Sequence, residues 1–283
     1  MLHRIGAGIA TDESGDASYM MRRLAYRLGR KLYAWGRGET ANNPSANGEY
    51  WLVDKAVPLV DDGAVFLDIG ANRGEWTRYV LEAASTAGKP LRVIDFEPCS
   101  GTRQLLDERF AAERRVEIVP TALSAESGTA TMFSTGAGAG TNSLHRSSGP
   151  QAETVSVTTL DGFLGERGLA RIAFAKIDTE GYDALVLRGA RASLGNGVFD
   201  LVQFEYNWRW LFTATSLRSV FELIEGTPYR LGRLSGAGLL LFDGWHFELD
   251  RFFEGNYVLV RRGSPIEALG TTGWFDKCNI LRW

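Results

Sequence analysis

The sequence predicts an α/β fold: a mostly parallel sheet with an antiparallel C-terminal strand and an N-terminal helical extension. Three observations carry this. From residue 64 short apolar runs alternate with amphipathic segments, a Gly-rich turn follows the first run, and acidic residues close several later ones. Buried strands separated by helices are joined by right-handed crossovers, which makes their sheet parallel.

The elements follow in order. Residues 1–16 read as a loose, polar, Gly-rich terminus. Tyr19 to Trp35 predicts a helix, with Met20, Leu24, Leu28 and Leu32 on one face and Arg22, Arg23, Arg27, Arg30 and Lys31 around the rest. Such a helix lies on an anionic membrane surface, or packs its stripe on the protein's own domain or on a second subunit of a homodimer. Gly29 weakens the helix, and packing is the favoured reading. AVFLDIGA then reads as a strand and GEWTRYVLEAAS as a helix, LRVIDFEP as a strand and CSGTRQLLDERFAA as a helix. RVEIVPTALS is the third strand and IAFAKIDTEG the fourth, followed by one helix, YDALVLRGARASL. FDLVQFEYN is the fifth strand, SLRSVFELIEG a helix, and GLLLF and GNYVLVRR paired antiparallel edge strands. GTATMFST and ETVSVTTL form an extra strand pair around Gly136–Pro150, a loop long enough to be either a functional lid or disordered. The domain bounds are 1–46 for the extension with its amphipathic helix, 47–262 for the α/β domain and 263–283 for a tail.

Composition narrows the setting. Of 283 residues, 45% are hydrophobic and 23% charged, the balance of an ordinary globular chain. A net charge of −3 argues against nucleic acid as partner. Two cysteines, Cys99 and Cys278, are too few for a disulfide framework, lack metal-ligand spacing and fit a reducing compartment. The N-terminus has no signal-type apolar core and no run approaches a membrane span, so a cytoplasmic location is expected.

The strongest local signal is Asp68-Ile-Gly70-Ala-Asn72-Arg-Gly74, where the first strand meets the first helix. Its glycines let the backbone turn sharply beside a ligand, and the helix offers free N–H groups. A dinucleotide-binding turn reads GxGxxG under a pyrophosphate. Here the spacing is DxGxNxG, and a leading carboxylate repels a pyrophosphate but suits the cationic methionyl end of S-adenosylmethionine. The bland alternative is a tight turn without a ligand. Glu97, ending VIDFEP, lies where an acidic residue of a Rossmann-like sheet accepts both ribose hydroxyls; Asp95 competes for the role, and capping of the helix near Ser100 is the structural alternative.

With these residues in place, the stretch from about Asn47 to Arg261 resembles the FkbM-type methyltransferase family. DIGANRG, FEP, ALS, TLD, KIDTEGYDALVLRGA and GNYVLVRR occur in that family's order, and Lys176-Ile-Asp178-Thr-Glu180-Gly181-Tyr-Asp183 is the most specific piece. Asp183 stands where the family pattern has a final Glu. The resemblance implies a Rossmann-like class I methyltransferase sheet that uses S-adenosylmethionine to methylate hydroxyls of sugars, glycolipids or secondary metabolites. It puts Asp68, Gly70, Asn72, Gly74, Glu97 and Pro98 on cofactor positions and Ala122, Leu123 and Ser124 beside the adenine. Thr121 replaces an Asn or Asp that often contacts the adenine amino group. Glu49 falls near the methionine amino group, and Asp178 near the transferred methyl.

Carboxylates at strand C-termini gather at ligand sites in open α/β sheets, and Asp178, Glu180 and Glu205 close the fourth and fifth strands. An alcohol acceptor needs its proton removed by a side chain or its oxygen acidified by a divalent metal, and these three residues suit either role. Helix capping and loop charge are the ordinary alternative, strongest for Glu180. His145, in the Gly-rich loop, is a further candidate base, though a lone loop histidine is more often merely exposed. His246 and the run Trp208-Arg-Trp210 suit an acceptor pocket, the core or a partner contact. The partner expected is a small molecule or glycan. DTEG stands where amino-group methyltransferases often carry an NPPY-like turn, which speaks against nitrogen. A methyltransferase-like binding module without activity is the non-enzymatic alternative.

Overall fold

The computed structural model describes residues 17–38, 43–140, 142–145 and 149–283. The chain divides into two units, 1–39 and 40–283. Residues 1–16, expected to be a loose terminus, lie outside the described residues. The first unit contributes α1 (Ala17–Gly36), 20 residues on the predicted segment and one residue or two longer at each end.

The second unit opens with α2 (Glu49–Ala56), β1 (Ala64–Ile69), α3 (Glu75–Ala87), β2 (Leu91–Phe96), α4 (Ser100–Phe110) and β3 (Val116–Val119). An insertion follows: β4 (Ala122–Leu123), β5 (Gly128–Ser134) and β6 (Gln151–Thr158), which form their own three-stranded sheet. Then come α5 (Leu160–Arg167), β7 (Ile172–Ile177), α6 (Asp183–Arg188), α7 (Arg191–Gly195), β8 (Phe199–Tyr206) and α8 (Leu217–Ile224). The chain ends with β9 (Tyr229–Ser235), β10 (Gly238–Phe242), β11 (Gly255–Arg261), β12 (Gly270–Thr272), β13 (Trp274–Phe275) and β14 (Leu281–Arg282).

Nine strands make the main sheet in the order β12-β10-β9-β11-β8-β7-β1-β2-β3. The five from β8 to β3 run parallel. β11 runs antiparallel between β8 and β9, and β9 pairs antiparallel with β10. The expected Rossmann-like, mostly parallel core with an antiparallel C-terminal strand is thus present.

Three details differ from the sequence reading. RVEIVPTALS is not one strand: Pro120 lacks the N–H a ladder needs, so β3 stays in the main sheet and β4 joins the insertion. YDALVLRGARASL is two short helices, because Gly189 lies against the Ser124 carbonyl, where an added Cβ would sit 2.1 Å from the oxygen. GLLLF and GNYVLVRR do not pair with each other. YRLGRLS, not anticipated as a strand, lies between them as β9, so β11 is interior. The predicted pair in the insertion is present as β5 and β6, antiparallel from Gly128↔Val157 to Ser134↔Gln151.

Period-two alternation builds the core. In β1, Val65, Leu67 and Ile69 face one apolar layer while Phe66 faces the other. The first layer packs under α5 to α8 with residues such as Val186, Leu194 and Val220, the second under α2 to α4 with Leu52, Val80 and Leu106. Both faces of the parallel strands are buried, so β7 reads IAFAKI with every residue inside. The residues assigned to the tail take part too, since β12 adds a strand beside β10.

Candidate cofactor and active site

The strand order reverses at β1, with β2 and β3 on one side and β7 and β8 on the other. Ligands of open α/β sheets bind outside the carboxyl ends at such a point. A cleft of about 460 Å³ opens there, walled by the loop after β1, the ends of β2 and β7, β4, residues 138–140 and 142–144, and α2. That volume suits a small-molecule ligand.

The loop after β1 is shaped by close contact. Gly70 has φ +87°, and a Cβ there would lie 2.0 Å from the Asp178 carbonyl oxygen. The Asp178 N–H also donates to the Ile69 carbonyl at 2.8 Å, tying the ends of β1 and β7 together. Gly74 is required for a different reason: a Cβ would meet Phe110 and Leu106 of α4 at 2.4 and 2.6 Å, and Gly74 does not line the cleft. Asn72 and Glu180, both in the wall, have positive φ, 51° and 55°, a backbone state that non-glycine residues hold mainly where a site demands it.

Glu97 joins two of these loops. Its Oε2 accepts the Asn72 N–H at 3.0 Å and its Oε1 the Cys99 N–H at 2.9 Å. Burial pushes its carboxyl up to about 7, against the pull of those two N–H donors. Each oxygen keeps a further lone pair for a hydroxyl donor. Glu97 does not cap α4, whose Ser100 N–H goes instead to Glu153 at 2.9 Å. Asp95, the competing candidate, is buried below the cleft and does not line it.

Under the cleft a polar row crosses the sheet in register: Asp95↔Asp68↔Lys176↔Gln203. The Thr77 hydroxyl lies 3.0 Å from Asp68 Oδ2 and 2.7 Å from Asp95 Oδ1. Burial raises Asp68 to about 6, with Lys176 opposing, and burial with the Asp68 charge raises Asp95 well above its ordinary value. Burial would lower the Lys176 ammonium, but Asp178, Glu49 and Asp68 together drive it upward. Its Nζ donates to Asp178 Oδ2 at 3.0 Å. Gln203 donates to Glu49 at 2.7 Å, and burial raises Glu49 as well. Asp68 thus lies beneath the cleft, whereas Glu49, Lys176 and Asp178 line it.

The carboxylates at the strand ends separate into those in the wall and those behind it. Glu180 lines the cleft, pairs with Arg209 at 3.0 Å and is raised to about 7 by burial and by Asp178. Asp183 is buried behind, where it accepts from Thr179, from the Gly181 N–H and from the Glu205 N–H, binding the turn after β7 to β8. Burial and Asp178 raise it to about 8. Glu205 does not line the cleft; it accepts from Asn207 at 2.7 Å, and burial with Asp178 raises it.

Of the other residues singled out in the sequence, Gly70, Asn72, Pro98, Thr121, Ala122 and Leu123 line the cleft and Ser124 does not. His145 is outside that wall, stacked on Phe212 at 3.7 Å. His246 stacks on Phe275 at 4.1 Å, away from the cleft. Trp210 is core, donating to the Glu205 carbonyl at 3.0 Å, while Trp208 is exposed. The sequence reading missed Lys176, Tyr50, Trp76 and Asn142. Lys176 alone carried a signal, a lone charge inside an apolar strand.

The sequence profile of the methyltransferase FkbM domain matches residues 68–231, which contain DIGANRG, Glu97 and KIDTEG. The chain belongs to the FkbM methyltransferase family. Among solved structures it is similar to the methyltransferase FkbM of Methylobacillus flagellatus, at 17% identity and a TM-score of 0.44 over 70% of this chain. The match spans 44% of that protein's length. It is also similar to an rRNA methylase from Streptococcus thermophilus, at 10% identity, TM-score 0.41, 75% of this chain and 93% of the other. Aeropyrum pernix fibrillarin with bound S-adenosyl-L-methionine matches at 14% identity, TM-score 0.37 and 75% of each chain. No curated protein matches it.

The cleft fits a ligand of the size and polarity of S-adenosylmethionine. Among the described residues, the buried Asn72 Oδ1, Trp76 Nε1 and Asn142 Oδ1 have no hydrogen-bond partner, and all three lie on residues of the wall. Orphaned donors and acceptors call for a polar ligand to complete them. Among the described residues, no three His, Cys, Asp or Glu side chains are grouped to hold a metal ion.

Proposed function

We propose that this FkbM-family protein transfers a methyl group from S-adenosylmethionine to a hydroxyl oxygen of a small-molecule or glycan acceptor, with Asp178 as the base. The carrying observation is the state of Asp178. It ends β7 in the cleft wall, with Oδ2 taken by Lys176 and the side chain about one-third exposed. Oδ1 is thereby left to take the hydroxyl proton. Lys176 orients the carboxylate through its hydrogen bond to Oδ2.

Glu97 holds the ribose, Ala122 and Leu123 flank the adenine, and Glu49 with the Gly70–Asn72 loop receives the methionyl end. The cofactor supplies an activated methyl on sulfur, so the remaining task of the protein is to align the acceptor and remove one proton. The chain's net charge of −3 disfavours a polyanionic acceptor such as nucleic acid.

The test supplies labelled methyl donor with hydroxylated glycans and lipids and locates the product methyl by mass spectrometry. Asp178→Asn should lower kcat by about 10²–10⁴ with little change in cofactor affinity. A chelator should leave the wild type unaffected; if it abolishes turnover, the proton is handled by a metal instead. A methyl on nitrogen, or full kcat in the Asn variant, would refute the reading.

A further inference from the structure

Helix α1 carries Arg22, Arg23, Arg27, Arg30 and Lys31 and no acidic residue, although the whole chain has a net charge of −3. At 3.6 residues per turn, Met20, Met21, Leu24, Leu28, Leu32 and Trp35 fall on one arc of about 120°. The four arginines lie on the remaining surface with Tyr19, Tyr26 and Tyr33; Arg27 borders the arc, and Lys31 falls just inside that edge between Met20 and Leu24. All six apolar side chains are exposed, from 56% for Leu28 to 81% for Trp35, and none of the described residues of the helix's own unit covers them.

We propose that α1 is an interfacial helix that docks the protein on an anionic lipid bilayer. The charge pattern selects this occupant. A second copy would set the same cations against one another with no acidic residue in either helix to pair with them. A leaflet of anionic lipids accepts the apolar arc into its acyl boundary and offers phosphates to Arg27 and Lys31 at the arc's edge and to the arginines beyond it. Trp35 and Tyr33, close to the helix end, are residue types that settle at headgroup depth. No described helix is long and apolar enough to cross a membrane.

Flotation of the full chain with vesicles tests this, using phosphatidylcholine alone and phosphatidylcholine mixed with phosphatidylglycerol, at low and high salt. Binding should require the anionic lipid and fall with salt. Each cation is worth about fivefold in partitioning, so Arg23→Gln with Arg27→Gln should weaken binding about 25-fold. Leu24→Glu with Leu28→Glu should abolish it while leaving S-adenosylmethionine binding intact, which certifies that the second unit is folded. Absence of wild-type binding, equal binding to neutral vesicles, or unchanged binding by the Leu24/Leu28 variant would overturn the proposal. So would a lipid-free dimer in sedimentation velocity that the Leu24/Leu28 variant dissolves.

Discussion

Replacing Glu97 tests the cofactor site most sharply, because its two oxygens already hold the loops after β1 and β2. Each has one more acceptor position, and bonds to a charged group are worth about 1.5–3 kcal/mol apiece. After the hydroxyls regain water, Glu97→Ala should cost about 2–4 kcal/mol, or about 30- to 1000-fold in Kd. The pH dependence adds a signature that simple loop damage would not produce. Burial puts this carboxyl at about 7, and only its ionised form accepts from both hydroxyls without a competing proton. The ionised fraction falls about tenfold between pH 8 and pH 6, so wild-type Kd should rise about tenfold over that span. Glu97→Gln keeps the shape but cannot ionise, so its Kd should be weaker and flat with pH. Its amide also sets a donor against the Asn72 or the Cys99 N–H, a cost of about 1–3 kcal/mol in stability. Calorimetry with S-adenosylmethionine at pH 6, 7 and 8 reads all of this. A Gln variant with wild-type Kd and wild-type pH slope would remove Glu97 from the site.

Three further outcomes are expected. Lys176→Met leaves Asp178, Glu49 and Asp68 without their cation and should destabilise the fold by about 3 kcal/mol in chemical denaturation, the low end for a buried pair because Asp178 reaches solvent; a loss under about 1 kcal/mol would contradict the ion-pair account. Asp68, Glu97, Glu180 and Asp183 stand at about 6, 7, 7 and 8, all above their unfolded values. Their contribution to stability is therefore complete below the unfolded carboxylate range and lost as pH rises through 6 to 8. The Tm of the cofactor-free protein should fall from pH 6 to 8.5, and Asp183→Asn should flatten the upper part of that slope; a rising Tm with an unchanged slope in the variant would contradict the sign. Gly70→Ala forces a Cβ to 2.0 Å from the Asp178 carbonyl and should lower both stability and methyl transfer, so a variant with wild-type Tm and kcat would show that the β1 and β7 ends are less tightly apposed.

The parallel core was legible because its signals are local. Apolar runs of strand length, Gly70 and Gly74 at the first turn, and acids at strand ends each leave a mark in a few consecutive residues. The β9 strand was missed because YRLGRLS mixes two arginines into a buried run, and only pairing with β10 and β11 makes that mixture a strand. The cleft was half legible. Glu97 and Asp178 stand in its wall as expected, but the sequence gives no depth coordinate, so Asp68 and Glu205 could not be told apart from residues that face the ligand. Asn142 enters through the insertion, whose sheet is held by long-range pairing that no window of sequence reveals.

The Thr77 contacts fix an inventory of protons beneath the cleft. A hydroxyl has one hydrogen, yet this one lies within bonding distance of two carboxyls. With one carboxyl protonated, both contacts are hydrogen bonds. Asp68 lies beside Lys176 in register and Asp95 one strand farther from it, which favours the proton on Asp95. The row then has a direction: Asp95 donates to Thr77, Thr77 donates to Asp68, and the negative end rests beside Lys176. Polarity of this kind makes the two aspartates unequal, although they are neighbours in register. An asparagine in place of Asp95 preserves the sense of every bond in the row, whereas Asp68 has no neutral substitute.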